Sequence, residues 1–276
     1  MPGAVFDWAQ RSTLVVPKPP SAVRRCGLAV SRLAILERMK RLVASHSQHF
    51  LRSPAFIAEL IGHRNLRHKD TVIDIGAGSG AITAVLARRV AHVIAYENES
   101  QAGKRLQEHM ASCPTVEVRQ EDFLAAELPD GPYKVFSNIP FHLSSSIVRK
   151  LVGAKVPPQA IYLIVQKQFA IKLVTDGDHF HAALGMAIAP WWTVRIRRPL
   201  RRTDYTPPPA VDTALIEIKP RPEPLLPHDM QERYLSFVER CYAEPRFYAR
   251  TSAPKNKKPS QVTLEQWCAV FRQSAF

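Results

Sequence analysis

A chain of 276 residues, 46% hydrophobic, is long enough for one large domain with a smaller one beside it, and no apolar run approaches the ~20 residues of a membrane span. Thirty-eight Lys and Arg against 24 Asp and Glu leave a net charge of +14, a balance that favours a polyanionic partner through counterion release and steering. Cys26, Cys113, Cys241 and Cys268 are far apart with no C-x-x-C pair, which argues against a zinc site and a disulfide framework and for a reducing cytoplasm.

The N-terminus lacks the basic start, apolar core and small-residue cleavage site of a secretory signal. Residues 1–40 read as a basic extension broken by Pro17, Pro19 and Pro20. It is either an arm that touches phosphates or a solvated tail with a short helix near Leu33–Met39. After Ser47-Gln48-His49-Phe50-Leu51, Pro54 opens an apolar helix through Phe56, Ile57, Leu60 and Ile61.

Residues 71–76 read as a buried strand, followed by Gly76-Ala77-Gly78-Ser79-Gly80, a helix over 81–89 and a strand over 92–96 that ends at Glu97. Glycines there permit a tight turn and a close backbone approach to a ligand at a helix start. Glu97 follows Gly76 at the reach where an acid on the second strand grips ribose hydroxyls. The spacing is G-x-G-x-G, so the third glycine of the dinucleotide fingerprint is displaced and no phosphate-binding group follows. That leans away from NAD and toward a nucleoside without a pyrophosphate, which S-adenosyl-L-methionine fits.

A helix over 98–111 and a strand over 116–119 lead to Glu121-Asp122-Phe123. Asp122 either accepts from an adenine amine beside the aromatic ring or caps the following turn. An apolar strand, 133–136, then runs into Ser137-Asn138-Ile139-Pro140-Phe141 before an amphipathic helix from about Leu143. An amide side chain, a backbone fixed by proline and a flat ring would hold an exocyclic amine on a planar base. The alternative is a proline turn with a buried Phe. A fifth strand over 160–166 is followed by a helix beginning Gln166-Lys167-Gln168-Phe169-Ala170. Two more strands, 193–198 and 213–219, flank Tyr205-Thr-Pro-Pro-Pro-Ala-Val-Asp212, where the prolines exclude regular structure and fix a rigid loop. The sheet has seven strands. Past Pro220, helices over 228–243 and 264–271 and a basic link over 254–258 make either a small RNA-facing domain or a helical cap on the sheet.

In this order the motifs resemble the ribosomal RNA adenine N6-methyltransferases, over roughly residues 45–276, and within them the Erm family that confers macrolide resistance. The resemblance implies a Rossmann-like class I methyltransferase α/β fold with a small C-terminal α-helical domain. It divides the chain into the extension 1–40, a catalytic domain 41–220 and a helical RNA-binding domain 221–276. It implies S-adenosyl-L-methionine as cofactor, held by Gln48, His49, Leu51, Gly76, Ala77, Gly78, Glu97, Asn98, Asp122, Phe123 and Asn138, and no metal. Asn138, Pro140 and Phe141 would receive the target adenine. It implies a cytoplasmic monomer, away from membranes, acting on protein-free or precursor 23S ribosomal RNA. His49 stands where the family usually has Asn, Phe141 where it commonly has Tyr, and Gln168 where an acid is common. Two alternatives share the fold: the sister enzyme of small-subunit (16S) RNA, which the C-terminal Leu264-Glu-Gln-Trp267 ending disfavours, and a non-catalytic nucleic-acid-binding factor, which the intact glycine loop, Glu97 and Asn138 disfavour.

Overall fold

The computed structural model describes residues 50–51, 53–62, 64–176 and 180–274. The extension over residues 1–40, Gln48 and His49 lie outside these. In chain order the strands are β1 (Phe50–Leu51), β2 (Thr71–Ile75), β3 (His92–Tyr96), β4 (Val116–Arg119), β5 (Lys134–Asn138), β6 (Ile161–Gln166), β7 (Trp192–Leu200), β8 (Tyr205–Thr206) and β9 (Thr213–Pro220). The helices are α1 (Pro54–Gly62), α2 (Ala81–Leu86), α3 (Ser100–Met110), α4 (Ser144–Val152), α5 (Lys167–Leu173), α6 (Ala183–Ile188), α7 (Gln231–Ala243), α8 (Pro245–Arg250) and α9 (Leu264–Gln273). Among the described residues no helix is long and apolar enough to cross a membrane.

Seven strands form one sheet in the order β4-β3-β2-β5-β6-β9-β7. The first five are parallel, and β9 runs antiparallel to both of its neighbours. This is the Rossmann-like class I methyltransferase arrangement. The central strands are apolar at almost every position because helices cover both faces. Ile73, Ile75, Val135, Leu163 and Ile216 point to one face, where α4, α6, α7 and α9 pack. Val72, Phe136, Tyr162, Ile164 and Leu215 point to the other, under α1 and α2. The C-terminal helices share the first of these clusters with the sheet: Tyr234 meets Trp191 and Phe271 edge to face, with ring centroids 5.6 and 5.1 Å apart.

The local differences from the sequence reading have physical causes. Tyr205–Thr206 is a strand after all, paired with Phe50–Leu51. The prolines end it after two residues, since Pro207 has no N–H to donate. Helix α6 escapes a periodicity search because its six residues are small or apolar and almost all buried, with no polar face. Ser137 and Asn138 belong to the end of β5 and not to the loop that follows it.

The chain order reverses between β2 and β5, and their pairing stops early. Main-chain register runs through Val72↔Lys134 and Ile73↔Val135. At the next level the Ser137 hydroxyl accepts from the Ile75 N–H at 3.1 Å and donates to the Ile75 carbonyl at 2.5 Å. A side chain thus closes the ladder, and above it a crevice opens at the carboxyl ends, where ligands bind in such sheets. At the opposite end Lys134 anchors β5 through a buried pair with Asp70 at 2.6 Å and a bond to the Asn65 carbonyl. Ser137 is fully buried, so Ser137→Ala strands two main-chain groups. We expect it to cost about 2–4 kcal/mol in urea unfolding; a change under about 0.5 kcal/mol would show that the ladder does not depend on the hydroxyl.

Candidate active site

A cavity of about 690 Å³ fills the crevice at the carboxyl ends of β2, β3, β5 and β6, within the range of small-ligand sites. Its floor is the loop from β2 to α2. Gly76, Gly78 and Gly80 have φ of +66°, +56° and +86°, conformations that L side chains rarely adopt. Gly76 is also held close by its surroundings. A Cβ there would lie 3.2 Å from Pro140 Cδ, so the glycine loop and the Asn138–Phe141 turn face each other across one backbone thickness.

Two carboxylates lie beneath and beside this loop. Glu97, 6% exposed, accepts from Gly78 N through one oxygen (2.7 Å) and from Glu99 N through the other (2.8 Å). It therefore ties β3 to the loop while lining the cavity. Asp74, 1% exposed at the end of β2, accepts from the Thr83 hydroxyl at 2.7 Å. Burial pushes its carboxyl from 3.8 up to about 7, and the Thr83 and Ser137 hydroxyls offset only part of that.

The third wall is the turn after β4. Asp122 Oδ1 accepts from Leu124 N at 2.9 Å, so Asp122 caps the turn and lines the cavity at once. Phe123 is buried edge to face against Tyr96, centroids 5.2 Å apart. Lys150 of α4 lies 5.4 Å above the Phe123 ring and donates to the Leu124 and Ala126 carbonyls, stapling this turn to the helix after β5.

The fourth wall is the end of β5. Asn138 is level with Ile164 of β6. Pro140 starts a 3-10 turn, Phe141–Leu143, whose Leu143 N–H donates to the Pro140 carbonyl at 3.0 Å. Ser144 Oγ donates to the Phe141 carbonyl at 2.8 Å and fixes the start of α4. Phe141 remains half-buried on the cavity wall.

Leu51, Gly76, Ala77, Gly78, Glu97, Asn98, Asp122, Phe123, Asn138, Pro140 and Phe141 all line this one cavity, although they come from five separate stretches of chain. Gln48 and His49 lie outside the described residues. Sequence reasoning assigned no role to Asp74 and Gln166, which also line it. An acid within the apolar run Val72–Ile75 was the available signal for Asp74. Gln166 was visible in its motif, but its place depends on β6 ending beside Thr213 of β9. The donor set suits a nucleoside: a carboxylate oriented by main-chain amides, a second acid beside an aromatic pair, and a floor without Cβ atoms.

A family model described as ribosomal RNA adenine dimethylase matches residues 39–262. An rRNA methyltransferase of Streptomyces thermotolerans is 32% identical over 246 residues, covering 83% of this chain and 82% of that one. A ribosomal RNA small subunit methyltransferase A of Levilactobacillus brevis is 31% identical over 226 residues, covering 77% and 76%. Among solved structures, the 23S rRNA methyltransferase ErmE superposes with a TM-score of 0.68 at 28% identity, over 81% of this chain and 98% of that one. A dimethyladenosine transferase from Plasmodium falciparum, with a TM-score of 0.62, 22% identity and 71% of each chain covered, shares the fold.

The buried Asp74 makes a stability prediction. Its folded pKa is raised, so its contribution is present in full below about pH 4 and is lost as pH rises to about 7. Asp74→Asn keeps an acceptor for Thr83 and removes the titration. We expect the variant to gain on wild type by a few kcal/mol between pH 5 and pH 8 in denaturant melts; parallel curves would show that Asp74 titrates like an exposed carboxylate.

Proposed function

The chain belongs to the ribosomal RNA adenine dimethylase family, and on that footing we propose that it methylates the N6 of an adenine in large-subunit (23S) ribosomal RNA and so confers macrolide-type resistance. It is a ribosomal RNA adenine methyltransferase that uses S-adenosylmethionine. The observation that carries the reading is the close approach of Gly76 to Pro140, where an added Cβ would lie 3.2 Å from the ring, which sets the nucleoside cradle beside the Asn138–Phe141 turn. Supporting the large-subunit target is the superposition on nearly the whole of ErmE, a 23S rRNA methyltransferase. Small-subunit RNA is the second reading, favoured by the 31% identity to a small-subunit enzyme.

In this reading Glu97 holds the ribose hydroxyls, Asp122 accepts from the cofactor's adenine amine beside Phe123, and Leu51, Gly76, Ala77, Gly78 and Asn98 close around the rest. The bound cofactor supplies an electrophilic sulfonium methyl. The protein's task is the nucleophile. An adenine N6 lone pair is delocalised into the ring, so the amine is a poor nucleophile while planar. Asn138 Oδ1 accepts one of its N–H bonds. A backbone carbonyl of Ile139 or Pro140 accepts the other, and the Pro140 carbonyl shares its lone pairs with the Leu143 amide. Two acceptors held by a rigid turn favour a pyramidal nitrogen and free its lone pair, which is catalysis by positioning and fixed dipoles. The N6 proton leaves after the methyl has arrived, so no strong base is needed. Phe141 stacks on the extruded base, offsetting about 1–3 kcal/mol of the cost of leaving its own stack. Residues 41–220 would be the catalytic unit, and 221–276 an RNA-contacting helical unit with Arg233, Arg246, Arg250 and Lys258 exposed. The enzyme would act as a monomer in the cytoplasm on protein-free or precursor RNA.

Protein-free large- and small-subunit RNA, incubated with enzyme and cofactor and mapped by reverse-transcription stops, tests the target. Stops at an adenine of the large-subunit RNA are expected; stops confined to small-subunit RNA would replace the reading with its alternative. Asn138→Ala should lower kcat by about 10²–10³-fold and change the cofactor Kd by less than about threefold. Loss of cofactor binding in step with kcat would remove Asn138 from the acceptor role.

A further inference from the structure

Strand β7 is the edge of the sheet and carries Arg195, Arg197 and Arg198. In a regular strand, residues 195 and 198 point to opposite faces. Here the register shifts between Ile196 and Arg198: Arg195 pairs with Glu217, Ile196 with Ile216, and Arg198 with Leu215. Arg197 is the extra residue of a β-bulge. Cross-strand partners share a face, so Arg195 and Arg198 both lie on the Glu217–Leu215 face. Arg197 joins them, donating through Nε and Nη2 to Glu217 Oε2. The apolar residues Val194 and Ile196 go to the other face with Ile218 and Ile216. Bulges re-aim side chains in this way.

The arginines gather more cation around them than carboxylate. Lys219 joins Glu217 from the same face at 2.7 Å. Arg198 reaches Glu59 at 2.6 Å and lies 5.1 Å over the Phe56 ring. Arg64, two residues past α1, has its pKa lowered by burial and then by the guanidinium groups of Arg197 and Arg198. Five cations, Arg64, Arg195, Arg197, Arg198 and Lys219, thus face two carboxylates, Glu59 and Glu217. Arg195 and Arg197 are exposed.

The patch is continuous with the cavity end of the sheet. Leu200 pairs with Thr213, and Thr213 with Gln166, which lines the cavity. Three strand spacings separate β5 from β7, roughly 14 Å. Arg201 and Arg202 continue the basic run past Leu200 and are exposed. A strand leaving the pocket toward this edge meets guanidinium groups within a few nucleotides.

We propose that the bulged edge strand β7 is a docking surface for the ribosomal RNA phosphate backbone flanking the target adenine, with Arg195, Arg197 and Arg198 as the phosphate contacts. This rests on the reading of the chain as a ribosomal RNA methyltransferase and assigns its partner to a surface away from the C-terminal helices. The contacts position the RNA and carry no base specificity. Glu217 keeps Arg197 and Lys219 pre-ordered without neutralising the patch.

The test is the salt dependence of binding and turnover on protein-free ribosomal RNA. Arg195→Gln and Arg198→Gln are each expected to raise the KM for RNA about fivefold and to flatten the slope of log Kd against log salt by about one. Their kcat at saturating RNA and their cofactor Kd should stay at wild-type values. Arg197→Gln leaves Glu217 short of a partner and risks the fold, so Arg197→Lys, which keeps the charge, is its companion and should retain the wild-type slope. An unchanged KM and slope in both glutamine variants would overturn the proposal, as would a fall in kcat with the slope intact. The wild-type control separates this from the functional reading: methylation of small-subunit RNA alone sinks the large-subunit target, while the arginine variants still report on whichever RNA is bound.

Discussion

Between β2 and β5 the ladder proceeds as in any parallel pair until Ile73↔Val135, and then a side chain takes the place of the next main chain. The Ser137 hydroxyl is both donor and acceptor, so it satisfies both polar groups of Ile75 without bringing the two strands together. A backbone partner at that level would have continued the ladder and closed the crevice. An apolar residue would have left two buried main-chain groups orphaned. The cavity, the approach of Gly76 to Pro140 and the placement of Asn138 all lie above this one bridge. Lys134 at the other end of β5 holds the strand's lower half against Asp70 and Asn65, which keeps the opening at one end only.

The two buried acids next to the glycine loop differ in how they are satisfied. Glu97 accepts from two main-chain amides, one on each oxygen, and sits at the cavity wall. Asp74 has hydroxyl partners and almost no exposure, and there desolvation outweighs its hydrogen bonds. Both line the cavity, but Glu97 is held by the main chain of the loop and of the segment after β3, whereas Asp74 is held by the hydroxyl of Thr83 in α2. Calling both "acids near the glycine motif" would hide that division.

Much of this was legible in the chain alone, where each feature has a local cause. Left-handed turns require glycine, so Gly76, Gly78 and Gly80 announced their loop. Apolar runs bounded by polar or proline residues announced the central strands of the sheet. The residues that line the cavity could be gathered because strands in this topology end on one side. What was not legible depends on partners distant in sequence. Tyr205–Thr206 is too short to show a period and exists because Phe50–Leu51 pairs with it. Helix α6 has no polar face to betray it. The raised pKa of Asp74 follows from burial, which composition does not report. The facing of Arg195 and Arg198 depends on a register shift against β9 that no one-strand pattern contains.

The bulge also resolves a conflict at the sheet's edge. A nine-residue edge strand with free main-chain groups invites pairing with another chain. Alternation alone would have placed Arg195 and Arg198 on opposite faces, driving one of them into the cluster where Val194, Ile216 and Ile218 pack. One inserted residue keeps Val194 in the core and puts three guanidinium groups together outside, where they discourage strand addition. One face of the sheet is sealed by the aromatic pack of α7 and α9, whereas the far end of the other is covered by Arg197 and Lys219 folded over Glu217. A charged cover tolerates water and counterions, and can exchange them for phosphates, in a way that a packed helix cannot. The edge that must not bind another strand is thereby the edge best suited to a polyanion.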